Sequence, residues 1–191
     1  NMKIQIITGS TREGRATNQV SAWVEKTARA TQPEVTWEVV DLASFDLPIF
    51  NESISPQYNQ DRQLTGGVKD WVEKVGQADA YVFVTPEYNH GVPGSLKNAI
   101  DFLDYQLKRK PVAIVSHGVV GGARANEQLR LVLNSTLGAL PISESVTLTG
   151  MVAMGHVFNE DGTLNEAHAG AQQAGESMLE SLVWLAQKLG A

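Results

Sequence analysis

Five short apolar runs, rich in β-branched residues, alternate along the chain with five segments of helical period. The runs are Lys3-Ile4-Gln5-Ile6-Ile7-Thr8, residues 35–42, residues 79–85, Pro111-Val112-Ala113-Ile114-Val115-Ser116, and residues 139–149. In the second run Val35, Trp37 and Val39 alternate; the fifth could divide at Ser143-Glu144. Helices are predicted from Ala16 or Thr17 to Ala30, over 61–75, 95–108 and 123–137, and from 163 to the end. Val20, Trp23, Val24 and Thr27 share one face of the first, and Leu64, Val68, Trp71, Val72 and Val75 one face of the second. Gly66-Gly67 would sit inside the second helix, and Gly138 where a left-handed cap ends the fourth. Thr163-Leu164-Asn165-Glu166 has capping-box spacing and opens the fifth, whose inward set is Met178, Leu179, Leu182, Val183, Leu185, Ala186 and Leu189. Residues 44–59 and 150–162 read as loops. A strand-helix alternation of this kind requires a parallel sheet covered on both faces.

Five strands fit a flavodoxin-like α/β three-layer sandwich, sheet order 2-1-3-4-5, with the ligand at the β1/β3 switch point. No linker or repeat interrupts the chain, so one domain is expected over 2–191. Asn1, ahead of Met2, is read as foreign to the fold and set aside. This topology gathers the three most unusual loops, 9–15, 86–94 and 117–122, at one rim.

The loop after the first strand, Gly9-Ser10-Thr11-Arg12-Glu13-Gly14-Arg15-Ala16-Thr17-Asn18, brings hydroxyls and two guanidiniums to a helix start. Free N–H groups and the helix dipole suit a phosphate there; the bland alternative is an ordinary helix start with solvated arginines. The spacing is neither G-x-x-x-x-G-K-[ST] nor G-x-G-x-x-G, which disfavours a P-loop nucleotidase and a dinucleotide fingerprint. A mononucleotide phosphate loop remains. The 86–94 loop carries Pro86, Pro93, Gly91 and Gly94, and reads as a stiff platform for a flat ring or as a surface connection rich in turn residues. The glycines of 117–122 allow backbone amides close to a ligand, or simply a tight turn.

Other chemistries find no support. The 191 residues contain no Cys, which excludes disulfides, thiolate metal sites and cysteine nucleophiles, so redox work needs a bound cofactor. His90, His117, His156 and His168 show no metal-ligand spacing, and no metal is expected. His90 and His117 sit in rim loops where either could touch a ligand; His168 is expected to be solvated. The G-x-S-x-G elbow is absent. A formal charge of −6 argues against nucleic acid, and Lys108-Arg109-Lys110 is expected to cap a helix end. Trp23, Trp37, Trp71 and Trp184 are expected in the core. No run is long enough to span a membrane, and with no signal pattern the cytoplasm is the expected location.

Together these residues resemble a known family. Gly9-Ser10-Thr11-Arg12, the stretch Pro86-Glu87-Tyr88-Asn89-His90-Gly91-Val92-Pro93-Gly94-Ser95-Leu96-Lys97-Asn98-Ala99-Ile100-Asp101, and the 116–122 loop look like those of NADPH-dependent FMN reductases, the flavodoxin-like group of quinone, azo-dye and chromate reductases. Many members carry Ser or Thr one position earlier than this chain's Arg15-Ala16-Thr17. The resemblance implies non-covalent FMN, with NADPH or NADH as co-substrate. Ser10, Arg12, Thr17 and Asn18, with Arg15 added, would serve the phosphate. Pro86, Glu87, Tyr88 and Asn89 would line the isoalloxazine, and Ser116, Gly118 and Gly122 would approach its other edge. It also implies a homodimer or homotetramer and a small-molecule electron acceptor such as a quinone. No side chain is expected as a catalytic acid. A flavodoxin-type electron carrier and a redox-responsive flavin-binding interaction protein stay open as alternatives.

Overall fold

The computed structural model describes residues 2–190, so Asn1 and the Ala191 end of the expected domain lie outside the described residues. Five parallel strands, β1 (Lys3–Thr8), β2 (Thr36–Asp41), β3 (Ala80–Pro86), β4 (Pro111–Gly118) and β5 (Leu140–Thr149), form one sheet in the order β2-β1-β3-β4-β5. Between and after them lie α1 (Thr17–Thr31), α2 (Gly66–Gly76), α3 (Gly94–Asp101), α4 (Ala123–Leu133) and α5 (Ala169–Lys188). This is the flavodoxin-like sandwich. Central strands face helices on both sides, so consecutive residues serve opposite cores. Ala80, Val82 and Val84 pack with Trp23 and Leu182 on the α1–α5 side; Tyr81 and Phe83 pack with Trp71 and Leu129 on the α2–α4 side. On the first side α5 approaches closely: a Cβ on Gly175 would stand 2.9 Å from Trp23. The buried indole N–H of Trp23 donates to Gln172 at 2.8 Å, so the large ring is enclosed without an unpaired donor.

Several element ends depart from the sequence reading, each for a tertiary reason. β2 is an edge strand; Trp37 is covered, but Val39 is 37% exposed and Val40, on the other face, is the buried residue. α2 begins at Gly66 rather than 61. Gly66 takes φ +55, and a Cβ on Gly67 would meet the Asp46 carbonyl oxygen at 2.1 Å, so the glycines open the helix against the long loop. α3 stops at Asp101, where Phe102 and Leu103 turn inward to full burial. The basic run therefore caps no helix: Arg109 takes φ +59 with its N–H on the Gly138 carbonyl at 2.8 Å, and the run leads into β4. α4 ends at Leu133, and Gly138, left-handed as expected, closes the turn that follows. β5 stays one strand and absorbs its irregularity as a bulge, since Val112 faces Pro141 while Ile114 faces Ser145.

The capping box does not form. Asp161 takes both the N–H and the hydroxyl of Thr163, at 2.9 and 2.6 Å, and α5 starts later, at Ala169. His168 is half-buried rather than solvated, its ring spanning Asn165 Oδ1 at 2.8 Å and the Thr149 carbonyl at 2.7 Å. Trp184 on α5 and Leu189 just after it are exposed and Leu185 is half-buried, because the sheet and α1 cover a narrower stripe than the apolar sequence offers. Among the described residues no helix is long and apolar enough to cross a membrane.

Candidate functional site

The carboxyl ends of β1, β3 and β4 bring the three singular loops to one rim, where side chains tie them pairwise. Ser10 Oγ meets the Tyr88 hydroxyl at 2.7 Å, joining the first loop to the second. Thr17 Oγ1 meets His117 Nε2 at 3.0 Å, joining the start of α1 to the end of β4. Glu87 joins the second loop to α4: its carboxylate accepts from Arg124 Nε at 2.6 Å and from the Arg124 backbone N–H at 3.0 Å. Gly122, the residue before α4, gives that helix no side-chain cap, so Glu87 caps it from another loop. Burial pushes the Glu87 carboxyl up, but the Arg124 bonds and the helix N–H groups outweigh it and hold the group below its ordinary range.

Between the stapled loops lies a cavity of ≈ 390 Å³, within the range of small-molecule sites. A larger one, ≈ 560 Å³, opens between α3 and α4 beside Phe50 and Leu137, but receives none of the three loops. Chemistry rather than size therefore selects the rim cavity. Its cationic end holds Arg12, exposed, and Arg15, whose side chain is 16% exposed and paired with Asp41. Arg15 Nε is buried with no partner among the described residues. The start of α1 also lacks a side-chain cap, because Ala16 precedes it. An uncapped helix start, a free guanidinium and an orphaned buried N–H form a donor set suited to a phosphate. His117 on the wall adds no charge at neutral pH: burial alone pushes its imidazole down to about 4.

The sequence-predicted residues divide in two. Arg12, Arg15, Thr17, Pro86, Glu87, Tyr88 and Gly118 line the cavity. Ser10, Asn18, Asn89, Ser116 and Gly122 do not. Ser10 is buried behind Tyr88. Ser116 is buried near the end of β4, donating to the Gly121 carbonyl at 2.8 Å. Gly122 is a packing position, since a Cβ there would stand 2.8 Å from the His117 carbonyl oxygen. Asn18 is exposed on the first turn of α1. Asn89 and His90 form the left-handed corner, φ +50 and +68, of a two-residue hairpin closed by mutual Tyr88–Gly91 bonds at 3.1 Å. His90 takes its second anchor from Arg124, whose Nη1 donates to Nε2 at 2.9 Å.

One wall escaped the sequence reading. Gly150, Met151, Val152, Ala153 and Met154, after β5, complete the cavity. The available signal was positional: the segment follows a strand's carboxyl end, as the other three loops do. Its composition, mostly apolar, carries no ligand signature.

Known proteins resemble this chain in sequence and in fold. A family model described as NADPH-dependent FMN reductase matches residues 2–152. An NAD(P)H-dependent FMN reductase of a Nectria species is 33% identical over 174 residues, covering 86% of this chain and 84% of its own. A quinone reductase of Escherichia coli strain K12 is 40% identical over 140 residues, 69% of this chain and 70% of that protein. Among solved structures, a flavoenzyme NAD(P)H:(acceptor) oxidoreductase from Paracoccus denitrificans superposes with a TM-score of 0.74 at 21% identity, covering 98% of both chains, a likeness of fold.

Proposed function

The chain belongs to the NADPH-dependent FMN reductase family, and from that premise we propose that the rim cavity seats FMN for electron transfer from NAD(P)H to a quinone-type acceptor. The protein is an NAD(P)H-dependent flavin oxidoreductase; the residues and the acceptor are the proposal. When bound, FMN supplies a two-electron relay that takes hydride from a reduced nicotinamide and yields it to an acceptor.

The chain's own residues bind and position. Arg12, Arg15, Thr17 and the free N–H groups of α1 hold the phosphate, with Asn18 beside them. Pro86, Glu87 and Tyr88 would hold the ring, with Asn89 in the hairpin corner next to Tyr88. Gly118 would let the backbone at the end of β4 come close to the ring. Ser10, Ser116 and Gly122 are positioning residues: Ser10 orients Tyr88, and the other two shape the β4 loop. No side chain serves as acid, and after hydride transfer solvent delivers the one proton that completes a hydroquinone. A homodimer or homotetramer in the cytoplasm completes the proposal, supported by the family resemblance and tested by solution mass and fractionation.

The observation that carries the reading is the cationic end of the cavity, where Arg12 is exposed and Arg15 Nε is buried without a partner among the described residues, beside an uncapped helix start. Stopped-flow mixing of the FMN-loaded protein with NADPH or NADH tests it. Rapid bleaching of the flavin band is expected. A yellow protein that neither nucleotide bleaches would be an electron carrier instead.

A further inference from the structure

The cavity has two unlike ends. Opposite the arginines, its lip is made of apolar side chains left open to solvent: Val119 is 68% exposed, Met151 43% and Met154 64%, with Val120 beside them at 51%. Single exposed apolar residues are ordinary, but several on adjacent loops around one cavity mean a surface that expects a ligand. This lip is also held in place. The Gly150 N–H donates to the Gly118 carbonyl at 2.9 Å, bridging the loop after β5 to the loop after β4. Val152, 3% exposed, plugs the helical turn Val152–Met154 into the core, so Met151 and Met154 flank a fixed point and stay outside. Gly150 at φ +119 and Gly155 at φ +71 bound the turn with conformations that side chains resist.

A phosphate or a dinucleotide's pyrophosphate has no partner on such a surface. What matches it is a flat apolar molecule, and methionine suits it because a flexible, polarizable thioether adapts to rings of different outline.

We propose that Val119, Met151 and Met154 form an acceptor subsite that selects bulky, flat, apolar quinones over small or charged oxidants. The inference rests on the reductase reading above. The reaction it sorts is balanced: NAD(P)H gives a hydride, solvent gives a proton, the quinone gains both as a hydroquinone, and NAD(P)⁺ leaves. The lip changes which acceptor reaches the seat and takes no part in the transfer.

The test measures kcat/KM of the FMN-loaded protein with menadione, a methylated naphthoquinone, and with ferricyanide, a small anion. A Met151→Ser/Met154→Ser double variant should lower the menadione-to-ferricyanide ratio by on the order of tenfold, the scale of losing apolar contacts in a substrate pocket. A Met151→Leu/Met154→Leu variant should keep the ratio within about twofold of the parent, because apolar volume is retained. An unchanged ratio in the serine variant, an equal loss with both acceptors, or a change in the variant's mass in solution would each overturn the proposal, the last by making the lip a contact between copies. Failure of NAD(P)H to bleach the flavin of the parent protein is a separate outcome, and it removes the reductase reading itself.

Discussion

The loops after β1, β3 and β4 are held to one another by side chains, whereas the loop after β5 is held by its backbone and one buried valine. Ser10–Tyr88, Thr17–His117 and Glu87–Arg124 each link two of these loops or the elements that flank them. The 150–154 segment instead uses the Gly150–Gly118 bond and the burial of Val152. The difference follows from what each region presents. Cationic and polar donors must stay fixed to be worth their desolvation, and side-chain staples hold their geometry before a ligand arrives. An apolar lip needs surface more than direction, and a pinned turn supplies that while leaving its outer side chains free to adapt.

The contrast can be broken at its glycines first. Gly122→Ala puts a Cβ 2.8 Å from the His117 carbonyl oxygen and 2.9 Å from its nitrogen, at φ +67. Backbone strain and overpacking together should cost about 4 kcal/mol in urea unfolding, with FMN binding lost alongside. Next comes the Thr17–His117 staple, read through pH. The unfolded imidazole titrates near 6.5 and the folded one, depressed by burial, at about 4. Between those values the unfolded chain binds the extra proton, so this contribution is complete above about 6.5 and drains away as pH falls towards 4, roughly 3 kcal/mol in all. His117→Gln should flatten that part of the stability-against-pH curve; parallel curves for parent and variant would contradict it.

Arg12→Ala addresses the unstapled donor. Loss of a charged hydrogen bond to phosphate should weaken FMN binding by about 1.5–3 kcal/mol, seen by flavin fluorescence titration, with little change in the unfolding midpoint. Unaltered affinity would count against the phosphate assignment. The smallest effect belongs to the lip. Gly155 also has φ +71, but an added Cβ meets nothing within 4 Å. Gly155→Ala should cost about 1 kcal/mol, the left-handed penalty alone. A loss as large as that of Gly122→Ala would show the two regions to be equally constrained.

Much of this was legible in the chain. The alternation of apolar runs points to the sheet and its order, and the loops with Arg12, Arg15, Pro86 and Gly118 stand out by composition and position alone. The helix ends were not. α2 starts where Gly67 presses on Asp46, α3 stops where Phe102 and Leu103 turn inward, and Thr163 gives its hydroxyl to Asp161 instead of capping α5. Each of these is decided by a partner distant in sequence or by local competition that a spacing pattern does not contain. Trp184 shows the same limit in reverse: its periodic position says apolar face, but no element among the described residues covers it.

Local pattern, then, settled what period 2 and period 3.6 can settle: five strands, five helices, and which loops lie at the sheet's carboxyl edge. Only the tertiary structure decided that Ser10, Ser116 and Gly122 support the cavity rather than line it, and that residues 150–154 close it. The reason is physical. Strands and helices are written into neighbouring residues through backbone geometry and solvent exposure, but a cavity wall is made where chain segments about a hundred residues apart, such as Thr17 and His117, come to share a hydrogen bond.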